Sequence, residues 1–402
     1  MPSTLPDGDP VPADGALPGG ALRGLGKRPF AFYVHVPFCV TRCGYCDFNT
    51  YTATELGPGA SRDSYADTAI REVRMARRVL GDVDLPVETV FVGGGTPTLL
   101  SPDDLGRVLS AIDAEFGLAP GAEVTTEANP ESVDEVYVGK LREAGFTRVS
   151  YGMQSAREHV LAVLERSHTP GRVPQVVEWT RKAGFEHINL DLIYGTPGET
   201  DDDWRGSLEA ALAAEPDHVS AYALIVEEGT RLAAQVRRGE LTAPDDDAMA
   251  DRYLIADELL SGHGLHWYEI SNWAADPRAA CRHNMLYWTG ADWWGVGPGA
   301  HSHVGGTRWW NVKHPAAYAA RLAEGTTPAH AREILTDEDR HIERVMLELR
   351  LAQGCPTHLL DDEAARGAIA DGLIEPAPYE QGRAILTLKG RLLADAVVRA
   401  LT

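Results

Sequence analysis

Cysteine is scarce in this chain: five among 402 residues is too few for a disulfide framework, and the odd number leaves one unpaired. A reducing compartment is therefore expected. Basic residues are also in deficit, 37 Lys and Arg against 59 Asp and Glu, and the net charge of -22 repels nucleic acid and anionic membranes. No Lys or Arg precedes Arg23, and no apolar run is long enough for a signal sequence or a membrane span. These shortages predict a cytoplasmic protein with no nucleic-acid partner. A hydrophobic content of 44% is enough for one large core and a smaller second unit.

Residues 1–28 are built from Pro, Gly, Ala and Asp and are expected to form a disordered tail. From Phe30 onward, β-rich runs alternate with helical runs, which predicts βα units around a parallel sheet. Six strands are expected, over 31–36, 89–93, 123–127, 148–152, 187–193 and 218–224. Between them, Ala66, Ile70, Val73 and Ala76 mark one face of a helix that stops at Gly81, and Ser101-Pro-Asp-Asp104 and Thr200-Asp-Asp-Asp203 read as capping boxes. The core is expected to span 29–235. The rhythm fades over 236–335, where seven of the nine Trp residues fall between Trp267 and Trp310. The last unit, 336–402, reads helix, helix, short hairpin (372–388) and helix, a winged-helix-like order. Its eight basic and twelve acidic residues argue for packing rather than DNA contact.

The most specific signal is a loop directly after the first expected strand, which carries Cys39, Cys43 and Cys46. Three thiolates can each hold one corner of a [4Fe-4S] cubane, and the fourth iron then stays open. The alternative is a zinc site completed by Cys281, Cys355 or a histidine. The CX3CX2C spacing after the first strand resembles the radical S-adenosylmethionine (SAM) superfamily. That resemblance implies a partial (β/α)6 TIM-like barrel whose open iron chelates SAM.

Gly93-Gly-Gly-Thr96-Pro97 follows the second expected strand, where glycines let backbone approach a ligand. Alone it is a tight turn. In this context it resembles the superfamily segment that meets the SAM amino group. Glu127, Gln154 and Asp191 fall at expected strand ends, where barrel proteins place functional side chains. Helix capping is the plainer reading for each. Arg166 can meet a carboxylate or form a surface ion pair.

Nearly the whole chain, from Phe30 to Thr402, resembles the oxygen-independent coproporphyrinogen III oxidase-like family, through Tyr33-Val-His-Val-Pro-Phe-Cys, Gly93-Gly-Gly-Thr-Pro, Glu127-Ala-Asn-Pro, Gly152-Met-Gln-Ser, Asn189-Leu-Asp-Leu-Ile-Tyr-Gly and Gly297-Pro-Gly-Ala-His-Ser. The resemblance implies that Tyr33, Tyr45, Gly95, Thr96, Glu127, Gln154, Arg166 and Asp191 line the SAM site. Two features are similar to the family's haem-chaperone branch. Phe48 stands where the oxidases carry a fourth cysteine, and His283-Asn-Met-Leu-Tyr287-Trp288 is similar to that branch's haem segment. A neutral imidazole can ligate haem iron, and Tyr287 and Trp288 offer aromatic faces. From residue type alone, His283 is a hydrogen-bonded structural histidine. Cys281 is a second ligand, an attachment point or an inert thiol, and His301 is a competing ligand or a strand-end anchor. The expected function is thus haem binding and transfer to an acceptor protein, with a cluster, SAM and a reduced electron donor; a homodimer is left open. The alternative is radical decarboxylation of coproporphyrinogen III, and no catalytic residue is assigned.

Overall fold

The structure, a computed structural model, describes residues 5–57, 59–166, 169 and 171–402. Six parallel strands, β1 (Phe30–Val36), β2 (Val87–Gly94), β3 (Leu118–Ala128), β4 (Arg148–Gln154), β5 (His187–Tyr194) and β6 (His218–Ala223), pair in sequential order. They fall where hydrophobic patterning placed them. Side chains two apart share a face, and Tyr33, Phe91, Glu127, Ser150, Asp191 and Ser220, one from each strand, line a single cavity. A flat sheet could not bring them together, so the six strands curve into a partial barrel.

The alternate residues, among them Val34, Val92, Val124, Val149, Leu190 and Val219, are buried in the main hydrophobic core. The helix Arg62–Leu80 contributes Ala66, Ala69, Val73 and Ala76 to that core and ends at Gly81, whose positive φ of 72° suits glycine. Ser101 caps the helix Pro102–Phe116, and Thr200 with Asp203 forms a capping box on Asp201–Ala213. The expected capping box forms at Thr200, whereas at Ser101 only the side-chain cap forms, and there the Asp104 carboxylate takes the Ser101 hydroxyl.

The sheet does not end with the six strands. β7 (His266–Glu269) and β8 (Asn272–Ala274) extend it antiparallel beyond β6. On the other side β9 (Asp292–Val296) runs parallel to β1 and is followed outward by β10 (His301–Val304), β11 (Thr307–Asn311) and β12 (Ala329–Ile334). The result is one twelve-stranded sheet. The aromatic-rich extension 236–335 is therefore built into both flanks of the core sheet. Apart from β9, which is parallel to β1, the strands of this stretch pair antiparallel, which is why the βα rhythm is lost.

The expected loose tail needs a correction over its described residues. Asp9 bridges Arg332, and Thr327 donates to the Ala13 carbonyl at 2.8 Å. Ala21 is buried, and Val11, Leu17, Leu22 and Leu25 pack on the core. Arg28 reaches Asp292 at 2.8 Å. A few spaced aliphatic anchors suffice because Pro-restricted backbone loses little entropy on docking. Residues 336–402 have a hydrophobic cluster of their own that includes Val345, Leu349, Cys355, Ile374, Leu386 and Val397. The expected hairpin is reduced to one bridge, Ile374 to Leu386, because the helix Pro376–Glu380 interrupts it. No helix among the described residues is long and apolar enough to cross a membrane.

Candidate cluster, cofactor and haem sites

The cysteine loop leaves the C-terminal end of β1 and is tied down on several sides. Cys39 N–H donates to the Tyr51 carbonyl at 3.1 Å, and Leu232 N–H donates to the Gly44 carbonyl at 2.9 Å. The Gly93–Pro97 segment is bonded directly to it: Gly95 N–H donates to Val36 and Thr96 N–H to Phe38, at 2.8 and 2.7 Å. A β-carbon on Gly95 would stand 2.5 Å from the Phe38 carbonyl oxygen and 3.0 Å from the Cys39 sulfur. Only glycine allows this approach.

Burial raises the Cys39 and Cys46 thiols, Cys46 to about 11, and Thr96 beside Cys39 offsets part of the effect there. Among the described residues, no three His, Cys, Asp or Glu side chains converge on a point where one metal ion would sit. The side chains proposed to complete a zinc site are elsewhere: Cys281 lies against Glu123, and Cys355 is in the C-terminal hydrophobic cluster. Thiols spread along one loop suit a cubane, which takes a different iron from each.

The residues expected to hold SAM gather at the same mouth. Arg166 donates to the Gly152 carbonyl at 2.8 Å and lies 3.9 Å from the Cys43 sulfur, and its buried Nε has no partner. That N–H is a donor without an acceptor beside the loop cysteines. Gln154 has φ of 63°, strain of the kind that collects at functional sites, and its amide would crowd any side chain at Gly152. Tyr45 packs on Val160, Leu164, Ile193, Leu224 and Leu232 beneath the cysteines.

Inside the barrel, Tyr33 bonds His35 Nδ1 at 3.0 Å and stacks on Phe91. Glu127 accepts Gly94 N–H at 2.9 Å, and burial followed by the nearby Asp191 pushes its carboxyl up to about 8. Asp191 accepts from Ser150 and Asn189, both at 2.7 Å, and burial raises it as well. Two carboxyls that resist ionisation in a closed space favour a cationic guest.

The haem segment lies at the opposite end. The helix Arg282–Trp288 plugs the N-terminal opening of the barrel, beside Glu123, Thr89 and Arg148. Spacing of four puts His283 with Tyr287 on one side of this helix and Asn284 with Trp288 on another. Asn284 and Trp288 turn to Glu269, whose carboxyl is raised by burial and partly lowered again by its hydrogen bonds, theirs among them. His283 is 1% exposed, with Nδ1 2.7 Å from Thr89 Oγ1 and Nε2 2.8 Å from the Tyr287 hydroxyl. Phe91 stacks on it, and burial pushes its pKa down to about 3.

Both nitrogens are occupied, and His283 and Tyr287 share one interior cavity of about 170 Å³ with Tyr33, Glu127 and Asp191. His283 therefore ligates no haem iron in this conformation. Cys281 is enclosed, 3.7 Å from Glu123, with its thiol pushed up by burial, which fits an inert thiol. The sequence reading missed Glu123 and Arg148, a buried pair 3.7 Å apart that holds the plug: Glu123 accepts His283 N–H at 3.0 Å, and Arg148 donates to the Ala279 carbonyl at 2.7 Å. The early strand positions of both were the available signal.

The sequence matches the model of the radical SAM superfamily over residues 33–211. It is 53% identical to the haem chaperone HemW of Mycobacterium tuberculosis (strain ATCC 25618 / H37Rv) over 96% of this chain and 97% of that protein. To the haem chaperone HemW of Bacillus subtilis (strain 168) it is 32% identical, over 92% and 98%. In structure it is similar to the radical SAM enzyme coproporphyrinogen III oxidase (HemN) of Escherichia coli, with a TM-score of 0.80, 22% identity and coverage of 96% and 94%, which shows a shared fold. With its three-thiol loop, glycine cradle and full-length kinship, this chain belongs to the HemW haem-chaperone family of radical SAM proteins.

Proposed function

We propose that this chain is a haem carrier that passes haem to an acceptor protein in the cytoplasm, with a [4Fe-4S] cluster on Cys39, Cys43 and Cys46. SAM binds at Tyr33, Tyr45, Gly95, Thr96, Glu127, Gln154, Arg166 and Asp191. The observation that carries this reading is the kinship with the HemW chaperones along the full chain. When bound, the cluster supplies a reducing electron and an open iron for the amino and carboxylate groups of SAM. Arg166 would hold the carboxylate, the Gly93–Gly95 backbone would receive the amino group, and the Glu127 carboxyl would face the positive charge of the bound group. A reduced electron donor and a second copy of the chain belong to the same proposal.

Radical decarboxylation of coproporphyrinogen III is the second reading, favoured by the shared oxidase fold. One observation weighs against it. The position of the oxidases' fourth cysteine holds Phe48, 52% exposed. Anaerobic reconstitution with haem and coproporphyrinogen III offered in parallel tests both readings. Stoichiometric haem uptake without porphyrinogen turnover is expected; formation of protoporphyrinogen overturns the carrier reading.

A further inference from the structure

If the chain carries haem, the described fold leaves the iron without His283, and a second histidine is placed quite differently. His301 opens β10, just past the turn that follows β9, a strand parallel to β1. This puts it at the cysteine-loop end of the barrel. Asn49, three residues beyond Cys46, donates to the carbonyls of Pro298 and Lys313, each at 2.9 Å, and so binds the two loops together.

The His301 ring is only partly buried and lies on Trp310 with centroids 5.8 Å apart and planes 27° from parallel. Trp310 is itself 1% exposed, which fixes the plane of the stack. Among the described residues no hydrogen bond engages either imidazole nitrogen of His301. Burial, then Arg308 and Lys313 nearby, hold the ring below its ordinary pKa, so the neutral, ligating form prevails near pH 7. Arg308 is itself paired with Glu333 at 2.7 Å and Glu343 at 2.6 Å.

The turn that presents His301 is rigid. Buried Glu72 accepts from Gly297 N–H and Asn311 Nδ2, both at 2.8 Å, and from the Tyr318 hydroxyl at 2.5 Å. Asn311 N–H closes the turn on the Ala300 carbonyl at 2.9 Å. An available imidazole on a braced turn is what an axial ligand requires.

We propose that His301, stacked on Trp310 at the cysteine-loop end of the barrel, is the histidine that ligates haem iron, and that His283 serves the fold instead. The assignment rests on the haem-carrier reading. Its test is titration of the full chain with ferric haem, comparing His301→Ala, His301→Gln and His283→Gln by Soret spectrum, resonance Raman and affinity. Both His301 variants should lose the histidine-ligated spectrum and bind haem about tenfold more weakly or worse. Added imidazole should restore the spectrum of His301→Ala, which only a folded site can do. His283→Gln should keep the wild-type spectrum. Unchanged spectra and affinity in the His301 variants, or a spectrum lost in His283→Gln, overturn the ligand assignment and leave the carrier reading standing. A wild-type chain that takes up no haem overturns both.

Discussion

The Tyr287 hydroxyl stands 2.8 Å from Nε2 of His283, one helical turn away, and closes a chain of contacts that begins at Thr89. His283→Ala breaks both ring bonds and leaves Thr89 and Tyr287 without their partner in a buried place. A loss of about 2–4 kcal/mol is expected. Urea unfolding of the full chain checks it, and a change below about 0.5 kcal/mol would show that the plug is not held this way.

Cys39→Ala removes one of three cluster thiols on an anchored loop, whereas Cys355 is fully buried in the C-terminal cluster. After anaerobic reconstitution, Cys39→Ala should hold little iron and sulfide, and Cys355→Ala should hold wild-type amounts. Equal iron in the two proteins would contradict the assignment.

Gly95→Ala introduces a β-carbon 2.5 Å from the Phe38 carbonyl oxygen. The glycine segment or the cysteine loop must then shift, and SAM affinity should fall about tenfold or more while the cluster still forms. Calorimetric titration of the reconstituted protein with SAM reads this. Wild-type affinity would place the amino-group contact elsewhere.

Glu72 is fully buried, and its carboxyl is pushed up to about 7 by desolvation, against the opposing donors Tyr318, Gly297 and Asn311. Because its folded pKa lies above the unfolded value near 4.5, its contribution is fully present below pH 4.5 and is lost as pH rises through 7. Glu72→Gln lacks this titration. The stability gap between wild type and variant should therefore narrow from pH 5 to pH 8, by at most about 3 kcal/mol. Parallel denaturation curves at the two pH values measure it, and a gap that widens would reverse the sign argued here.

Local features were readable because short-range physics fixes them. Ser101 and Thr200 cap the helices that follow them, and Gly81 ends its helix in a positive φ, as the residues alone predicted. The expected strand-end positions of Glu127 and Asp191 already marked both as site candidates. The docking of Val11, Leu17 and Leu22 was not readable, since it depends on a surface assembled from β12 and the core. Nor was the second role of the region beyond residue 235, because strand pairing to β1 and β6 is a long-range choice.

The sequence by itself determined the cluster loop, since three thiols within eight residues need only one turn of chain to act together. It also determined which pairs of the Arg282–Trp288 helix share a face, because the helical period does that. Only the tertiary structure decided what those pairs are for. Thr89 lies 194 residues from His283, and a hydrogen bond across that separation exists only once the barrel has closed around it. Burial then occupies the one histidine and spares the other.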